Sequence, residues 1–396
     1  MKKIVRFGII GIGKMGSIHA VKFKMKAIKN ATLTAVCDID PERRLWAESK
    51  LDGVKIFEDY VQLIASGVVD AIIVATPHYL HPIIAIEAMH HGVHVLIEKP
   101  AGVFAASVRE LNEVAEEHPD VGFAIMYNQR TNKLYRYAKE IIETGRLGAL
   151  KRINWIITDW YRPQAYYNQG GWRGTWAGEG GGALINQCPH QLDLFQWLGG
   201  MPRSVRAIVQ NGVNRDISVE NDVTAMFRYD GNQTGVFITS THDSPGTNRL
   251  EIDGDRGKIV IENDKLVFQE LMCGEAEFSQ KNKKFMPKIP SRKILRVLHP
   301  HEKFNMLMGG QHVEIIRNFT NHILFGEKLY APGIEGIKGL QLSNAIHLAG
   351  WLNREIQIPA DEDLFVAELD KRIEEEKQKQ QLAETEQSDS ESLTNQ

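Results

Sequence analysis

Cysteine is scarce. The 396-residue chain has three, Cys37, Cys188 and Cys273, far apart and without CxxC spacing. That pattern supports neither a disulfide framework nor a structural zinc site, and it suits a reducing compartment. Long apolar runs are missing as well: no stretch reaches the roughly 18 residues that a membrane-crossing helix needs. The opening MKKIVRFGIIGIGKMG is basic and then apolar, but glycines interrupt the run and no small-residue cleavage site follows, so a cytoplasmic protein is expected. Neither sign of charge dominates. A formal net charge of −3 gives no strong pull towards nucleic acid or a membrane surface, which leaves a small molecule and further copies of the chain as the expected partners. No internal repeat is visible.

At this length one core is too few, and two domains are expected. From Ile4 to about Ile125 short β-rich runs alternate with helical ones: VRFGIIG precedes HAVKFKMKAI, TLTAVCD precedes ERRLWAESKL, DAIIVAT precedes HPIIAIEAMHHG, HVLIEK precedes SVRELNEVAEE, and VGFAIMY closes the series. The β-rich runs are continuously apolar rather than alternating, as in a parallel sheet covered on both faces. This predicts a doubly wound α/β domain over 1–126. After a helix near 132–143 the character changes, with strands predicted around 151–159, 203–210, 222–229, 234–241, 249–253, 258–262 and 266–270. Gly231-Asn232 and Gly254-Asp255 supply turns between them, so an antiparallel or mixed sheet is expected. Helices near 310–324 and 336–353 complete an α+β domain over 127–360. Residues 361–396 read as a charged surface helix followed by QSDSESLTNQ, which has too little apolar mass to order itself.

The strongest local signal is a glycine pattern. Gly11, Gly13 and Gly16 form GxGxxG between a predicted strand and a predicted helix. Glycine there permits a tight turn and close backbone approach, and the helix start, with Lys14 and Met15, offers N–H groups to a pyrophosphate. The next strand ends in Asp38, where a carboxylate can accept hydrogen bonds from a ribose diol. A carboxylate repels a 2′-phosphate, so NAD is favoured over NADP, with Arg43 and Arg44 keeping NADP as the alternative.

A second stretch, GGGALINQCPHQLDLFQWLGGMP, carries two helical stripes. Leu184, Cys188, Leu192 and Phe195 form an apolar one; Asn186, His190, Asp193 and Trp197 form a polar one. Asn186 and His190 are one turn apart, and Pro189 predicts a kink or a helix start between them. His190 alone reads equally as a core or helix-start histidine, and Asp193 as a residue anchoring the helix.

GxGxxG, ATPHYLHPIIAIEAMHHGVHVLIEKP, GGWRGTW and GGGALINQCPHQLD, in this order, resemble the glucose-fructose oxidoreductase, inositol dehydrogenase and rhizopine catabolism (Gfo/Idh/MocA) family over about residues 4–360. The resemblance implies a Rossmann domain joined to an α/β domain whose open sheet builds homo-oligomers, and NAD(P)-dependent oxidation or reduction of sugars and cyclitols. It assigns catalysis to Lys99 of Glu-Lys-Pro, with the Lys99–Pro100 bond cis, and to His190. It expects an aspartate where this chain has Asn186, a departure that removes the charge able to raise histidine basicity. The cofactor set becomes Gly11, Gly13, Gly16, Lys14, Met15, Asp38, Thr76, Pro77, His78, His81, Glu98 and Lys99.

For the substrate, the aromatic stretch 155–176 suits a pyranose, whose C–H face packs on rings while its hydroxyls meet donors. Some of those rings belong to the core or to a subunit contact. Trp172 and Arg173 align with a family Trp-Arg pair near the substrate, and Tyr127, Asn128 and Arg130 follow the last Rossmann strand, so these join Asn186 and His190 as substrate candidates. The helix motif looks more like members acting on glycosides, which points to oxidation of a glucoside, at the 3-hydroxyl by resemblance. A cyclitol dehydrogenase and a glycosidase that reduces bound NAD transiently are the alternatives; a non-catalytic dinucleotide-binding regulator is the third reading. His90, His91 and His94 lack a completing carboxylate or cysteine, so no metal is expected. The insertion 281–296, with seven basic residues and no acids, reads as a solvated loop or oligomer arm, with an anionic substrate as the minor alternative.

Overall fold

The computed structural model describes residues 4–394. Strands β1 (Val5–Ile10), β2 (Ala31–Cys37), β3 (Lys55–Phe57), β4 (Ala71–Val74), β5 (His94–Ile97) and β6 (Phe123–Ile125) form one sheet in the order β3-β2-β1-β4-β5-β6. Every pairing in it is parallel. The apolar runs end up fully covered: all four residues of β4 are buried, and Phe7, Ile9, Ile73 and Leu96 have no accessible surface. The strand order reverses between β1 and β4, and the crevice outside the carboxyl ends at such a reversal is where nucleotides bind in sheets of this kind.

The second sheet has nine strands: β7 (Leu150–Ile157), β8 (Ser204–Asn211), β9 (Glu220–Arg228), β10 (Thr234–Ser240), β11 (Asn248–Gly254), β12 (Gly257–Glu262), β13 (Lys265–Leu271), β14 (Ser291–Val297) and β15 (Ile356–Gln357), in the order β14-β13-β12-β11-β7-β10-β9-β8-β15. Only β7 and β10 pair in parallel. Burial alternates along these strands, as the period of a half-covered sheet requires. One face packs against the helices Lys133–Glu143, Pro189–Gly199 and Gly336–Leu352, while the other leaves Ile156, Ile208 and Met226 exposed.

Three features depart from expectation. The basic insertion is not simply a loop: Ser291–Val297 pairs antiparallel with β13 as an edge strand, its Arg292, Lys293 and Arg296 exposed. Alternation in SRKILRV is enough for pairing, and charge on an edge strand discourages further strand addition. Second, the two cores do not divide at residue 126. Helix Gly310–Phe325 returns to the first sheet, where Val313, Ile315, Ile316 and Phe319 join the core around Phe7, and Ala331 accepts a bond from the Ile125 amide at 3.1 Å. Third, the closing segment is one helix, Glu362–Thr394, which includes most of the stretch expected to lack order; Asn395 and Gln396 lie outside the described residues. Nor is its first half merely a surface helix, since Phe365 and Leu369 are buried in the second core.

Candidate active site

The glycine turn has the shape that a dinucleotide needs. Gly11 has a φ of +86°, and a Cβ there would lie 2.7 Å from the Ala75 carbonyl oxygen. A Cβ on Gly16 would collide with the Gly11 carbonyl, so both positions exclude a side chain. Gly13 instead faces open space at the start of helix Lys14–Lys24, the volume that a pyrophosphate would occupy. Asp38 is fixed beside this turn, accepting from the amides of Ile12 (2.7 Å) and Asp40 (3.0 Å). Each carboxylate oxygen retains a further lone pair for a ribose hydroxyl. Arg44 is spoken for by the Asp38 and Ile39 carbonyls and by Glu58 at 3.1 Å. These residues fit NAD.

Across the crevice, β5 is followed directly by Glu98-Lys99-Pro100, and the Lys99–Pro100 bond is cis. Glu98 meets His19 Nε2 at 2.7 Å and accepts from the Lys99 amide at 3.2 Å. Burial would raise its carboxyl, but the His19 hydrogen bond and the surrounding positive groups bring it down to about 2. Lys99 Nζ donates to the main-chain carbonyl of Asn186 at 2.9 Å. Burial lowers the pKa of its ammonium, against the opposing pull of Glu98 and Glu179.

The polar stripe is broken where Pro189 stands. A π-helical turn spans Ala183–Gln187, and a new α-helix begins at Pro189 and runs to Gly199. Proline costs a helix little at its first position, where its missing N–H has no partner to lose. The apolar stripe is core as expected, with Leu184, Cys188, Leu192 and Phe195 all buried. His190 has its ring edge-on to Tyr127 at 6.3 Å and a buried Nδ1 without a protein partner. Burial, then the nearby Lys99 and His312, push its imidazole down to about 3, so the ring is neutral at physiological pH.

The loop carrying Trp172 and Arg173 lies beside Lys99 and His78. The Arg173 guanidinium lies 4.5 Å from the Trp172 ring centroid, 5.0 Å from that of Tyr166, and donates to the Tyr166 hydroxyl at 2.9 Å. That hydroxyl also accepts from Gln187 at 3.3 Å and faces Asn186 Nδ2 at 3.4 Å. Glu179, at the end of the turn Trp176–Glu179, is 2% exposed, accepts from the Gly174 amide at 2.9 Å and hydrogen-bonds the Asn186 side-chain amide. Burial pushes its carboxyl up to about 7. The closing helix holds the loop from outside: the Glu376 carboxylate accepts from the Trp176 and Ala177 amides at 3.1 Å each.

Two expected contacts are corrected. Arg130 is not available to a substrate, because its guanidinium is buried and bonded to Asp193 (2.6 and 2.8 Å), Glu335 (2.5 Å) and the Tyr330 carbonyl. Asp193 thereby anchors the helix. His81 does not reach into the crevice either; its two ring nitrogens lie 2.8 and 2.9 Å from the Pro100 and Thr76 carbonyls, bracing the ends of β5 and β4. His78 spans the crevice, its Nδ1 3.1 Å from the Glu179 carbonyl and its ring edge-on to Trp172. Thr76 Oγ1 is buried without a partner, and Pro77 sits between it and His78. The Tyr127 hydroxyl is engaged by the Gly336 carbonyl at 3.3 Å, so that ring supports His190 from below. Asn128 meets His312, on the returning helix, at 3.3 Å, and its Oδ1 is buried and unpaired. Among the aromatic residues of 155–176, Trp155, Tyr167 and Trp176 are core, while Trp172 and Tyr166 line the site.

Glu179 and His312 were not singled out by sequence, and Tyr166 only as one ring of the aromatic stretch 155–176. A lone acid between glycines in GEGGG was the available signal for Glu179; His312 gave none, since only the return of its helix brings it to the crevice. Among the described residues no group of three or more His, Cys, Asp or Glu could hold a metal ion, and no helix is long and apolar enough to cross a membrane.

A glycine cradle at the strand-order reversal, with the Lys99 ammonium and the His190 imidazole near enough beyond it to influence each other, fits an NAD-binding oxidoreductase. The chain belongs to the Gfo/Idh/MocA family: residues 5–127 match the family's oxidoreductase domain with its NAD-binding Rossmann fold, and residues 135–260 match its C-terminal domain. It is 27% identical over 266 residues to the myo-inositol 2-dehydrogenase of Thermotoga maritima, a match covering 65% of this chain and 75% of that one. It is 32% identical over 206 residues to the 2,7-anhydro-N-acetylneuraminate hydratase of Mediterraneibacter gnavus, covering 51% and 52%. The solved WlbA dehydrogenase of Bordetella pertussis, in complex with NADH and UDP-GlcNAcA, superposes with a TM-score of 0.72 at 27% identity over 90% of this chain and 100% of that one. The protein is thus an NAD-binding oxidoreductase of the sugar or cyclitol dehydrogenase type.

Proposed function

We propose that the protein oxidises a secondary hydroxyl of a sugar glycoside, at the 3-position of a glucoside, with NAD held by Gly11, Gly13, Gly16 and Asp38. The observation that carries this reading is the tie between Lys99 and the Asn186 carbonyl, which sets an ammonium and the neutral His190 on one side of the crevice. Bound NAD+ supplies the hydride acceptor. Lys99 stabilises the oxygen as negative charge develops on it, which also makes its proton easier to remove. His190, already neutral, takes that proton. Trp172, Tyr166 and Arg173 provide a ring wall with a forked donor, which suits a pyranose face and its hydroxyls. Oxidation at C3 acidifies neighbouring C–H bonds and so prepares elimination of the aglycone.

The similarity to a myo-inositol dehydrogenase supports a cyclitol as the second substrate class. A relative named as a hydratase, a reaction without net redox change, supports a second outcome in which the bound cofactor is reduced and reoxidised within one turnover. Incubating the protein with NAD and a panel of glucosides and inositols, while following NADH absorbance and product masses, separates these. Glucoside-dependent NADH with a keto product supports the reading; inositol-only turnover moves the substrate to cyclitols; aglycone release without NADH identifies the internal redox cycle. Tight NAD binding with no turnover would leave a regulator. The exposed apolar residues Ile156, Ile208 and Met226 on the open sheet face support a homo-oligomer, a dimer or tetramer, formed through that face.

A further inference from the structure

The carboxylate that relatives are expected to place at position 186 is absent, yet the site is not without one. Glu179 ends a short turn and is followed by Gly180 in the left-handed region, φ +79°. There it is almost wholly buried, with Oε2 on the Gly174 amide and Oε1 on Asn186 Nδ2. Its main-chain carbonyl meets His78 on the Rossmann side of the crevice. The closest cation, Arg173, stands off at 3.9 Å and directs a nitrogen to Tyr166 instead. A buried carboxylate without a close ion-pair partner costs stability, and such groups concentrate where chemistry uses them.

We propose that Glu179 supplies the carboxylate of this site in place of the missing aspartate and acts through Asn186, as a positioning residue. By accepting from Nδ2 it fixes the amide, so that Oδ1 is the atom Asn186 offers to the substrate hydroxyl beside His190. The inference rests on the reading of the site as one that takes a proton from a secondary alcohol. The charged and titratable groups that face Glu179 include Arg173, Lys99, Glu220, His78, Tyr166 and Tyr167. Burial holds the Glu179 carboxyl up at about 7 while His190 is held at about 3, so the carboxylate is the member of this pair that changes charge near neutral pH. When Glu179 is protonated it has an O–H to donate, the amide turns to accept it, and Nδ2 then faces the substrate. A hydroxyl hydrogen is no longer accepted in that state.

Glu179→Gln and the double variant Glu179→Gln with Asn186→Asp test this in the full chain with NAD, on whichever glycoside or cyclitol of the panel turns over. Glu179→Gln is expected to lower kcat by roughly tenfold or more and to remove the ionisation near pH 7 from the rate profile. NADH affinity, read by fluorescence, stays within about twofold, since the cradle is untouched. The double variant restores a carboxylate one bond network away and recovers part of kcat, which a merely structural loss would not allow. Infrared titration of the protein alone gives a readout without turnover: a carboxyl band protonating near pH 7 in the parent and missing in Glu179→Gln. Unchanged kcat and pH profile in Glu179→Gln, or no such band, overturns the proposal. A titrating band with no turnover on any glycoside or cyclitol upholds the Glu179–Asn186 pair and overturns the oxidation reading instead.

Discussion

Lys99 Nζ lies 2.9 Å from the main-chain carbonyl oxygen of Asn186, joining the end of a Rossmann strand to a turn of the second domain. The π-helical turn ends at Gln187 and the next helix opens at Pro189. The helix starts afresh there, so the preceding turn keeps a carbonyl outside any helical ladder for the ammonium to find. Lys99, the lysine to which we assign catalysis, is thereby aimed by a break in a helix.

Replacing Lys99 removes both the tie and the charge. Lys99→Met is expected to lower kcat by about two to three orders of magnitude, the cost of losing a fixed donor to a developing oxyanion. NADH binding, measured by fluorescence, persists because the glycine turn and Asp38 are intact. Wild-type turnover in this variant would remove Lys99 from the mechanism.

The glycines separate in their effects. Gly16→Ala puts a Cβ into the Gly11 carbonyl and should lower the unfolding temperature as well as NADH affinity. Gly13→Ala meets nothing in the protein, so thermal unfolding is expected to stay unchanged while NADH affinity falls tenfold or more, by roughly 1.4 kcal/mol or more. Calorimetry beside a fluorescence titration distinguishes the two.

His78 gives a test of the electrostatics through stability. Burial, then the neighbouring His81 and Lys99, hold its imidazole down at about 3 against an ordinary 6.5. As pH falls from about 6.5 towards 3 the unfolded chain binds a proton here that the folded protein refuses, so the stability present above 6.5 is lost as the pH drops. His78→Gln has no such proton to bind. Its unfolding free energy should therefore fall less steeply with acid, the difference in slope approaching at most about 1.4 kcal/mol per pH unit. Denaturant titrations at a series of pH values measure that slope.

Glu376 ties the closing helix to the loop that carries Trp172 and Arg173. Glu376→Ala leaves the Trp176 and Ala177 amides without their acceptors, at a cost of about 1–3 kcal/mol to the loop arrangement. The expected result is a raised KM for the sugar with NADH affinity unchanged, and faster amide hydrogen exchange over 172–179.

Most of the first domain was legible because its information is local: continuous apolar runs and three glycines whose spacing states their purpose; the short strand Lys55–Phe57 and the helix Tyr60–Ala65, too brief to show a period, were not read. Lys99 and His190 came through family motifs rather than from periodicity. What sequence did not reveal depends on contacts made across long separations. Arg130 reads as a free basic residue after a strand, and only the fold brings it to Asp193, 63 positions away. Glu179 reads as one acid among glycines until Asn186 closes on it. Helix Gly310–Phe325 belongs to the first core because its apolar face fits a sheet some 200 residues earlier or more, which no window of sequence contains.

The central claim, hydride removal from a secondary carbinol of a sugar, is tested most directly with NAD and glucosides deuterated at single ring carbons. The account predicts that deuterium appears in the reduced cofactor from the 3-deuterated glucoside, together with a 3-keto product. A reduced cofactor free of deuterium from every labelled position, or no reduced cofactor with glycosides and cyclitols alike, would contradict it.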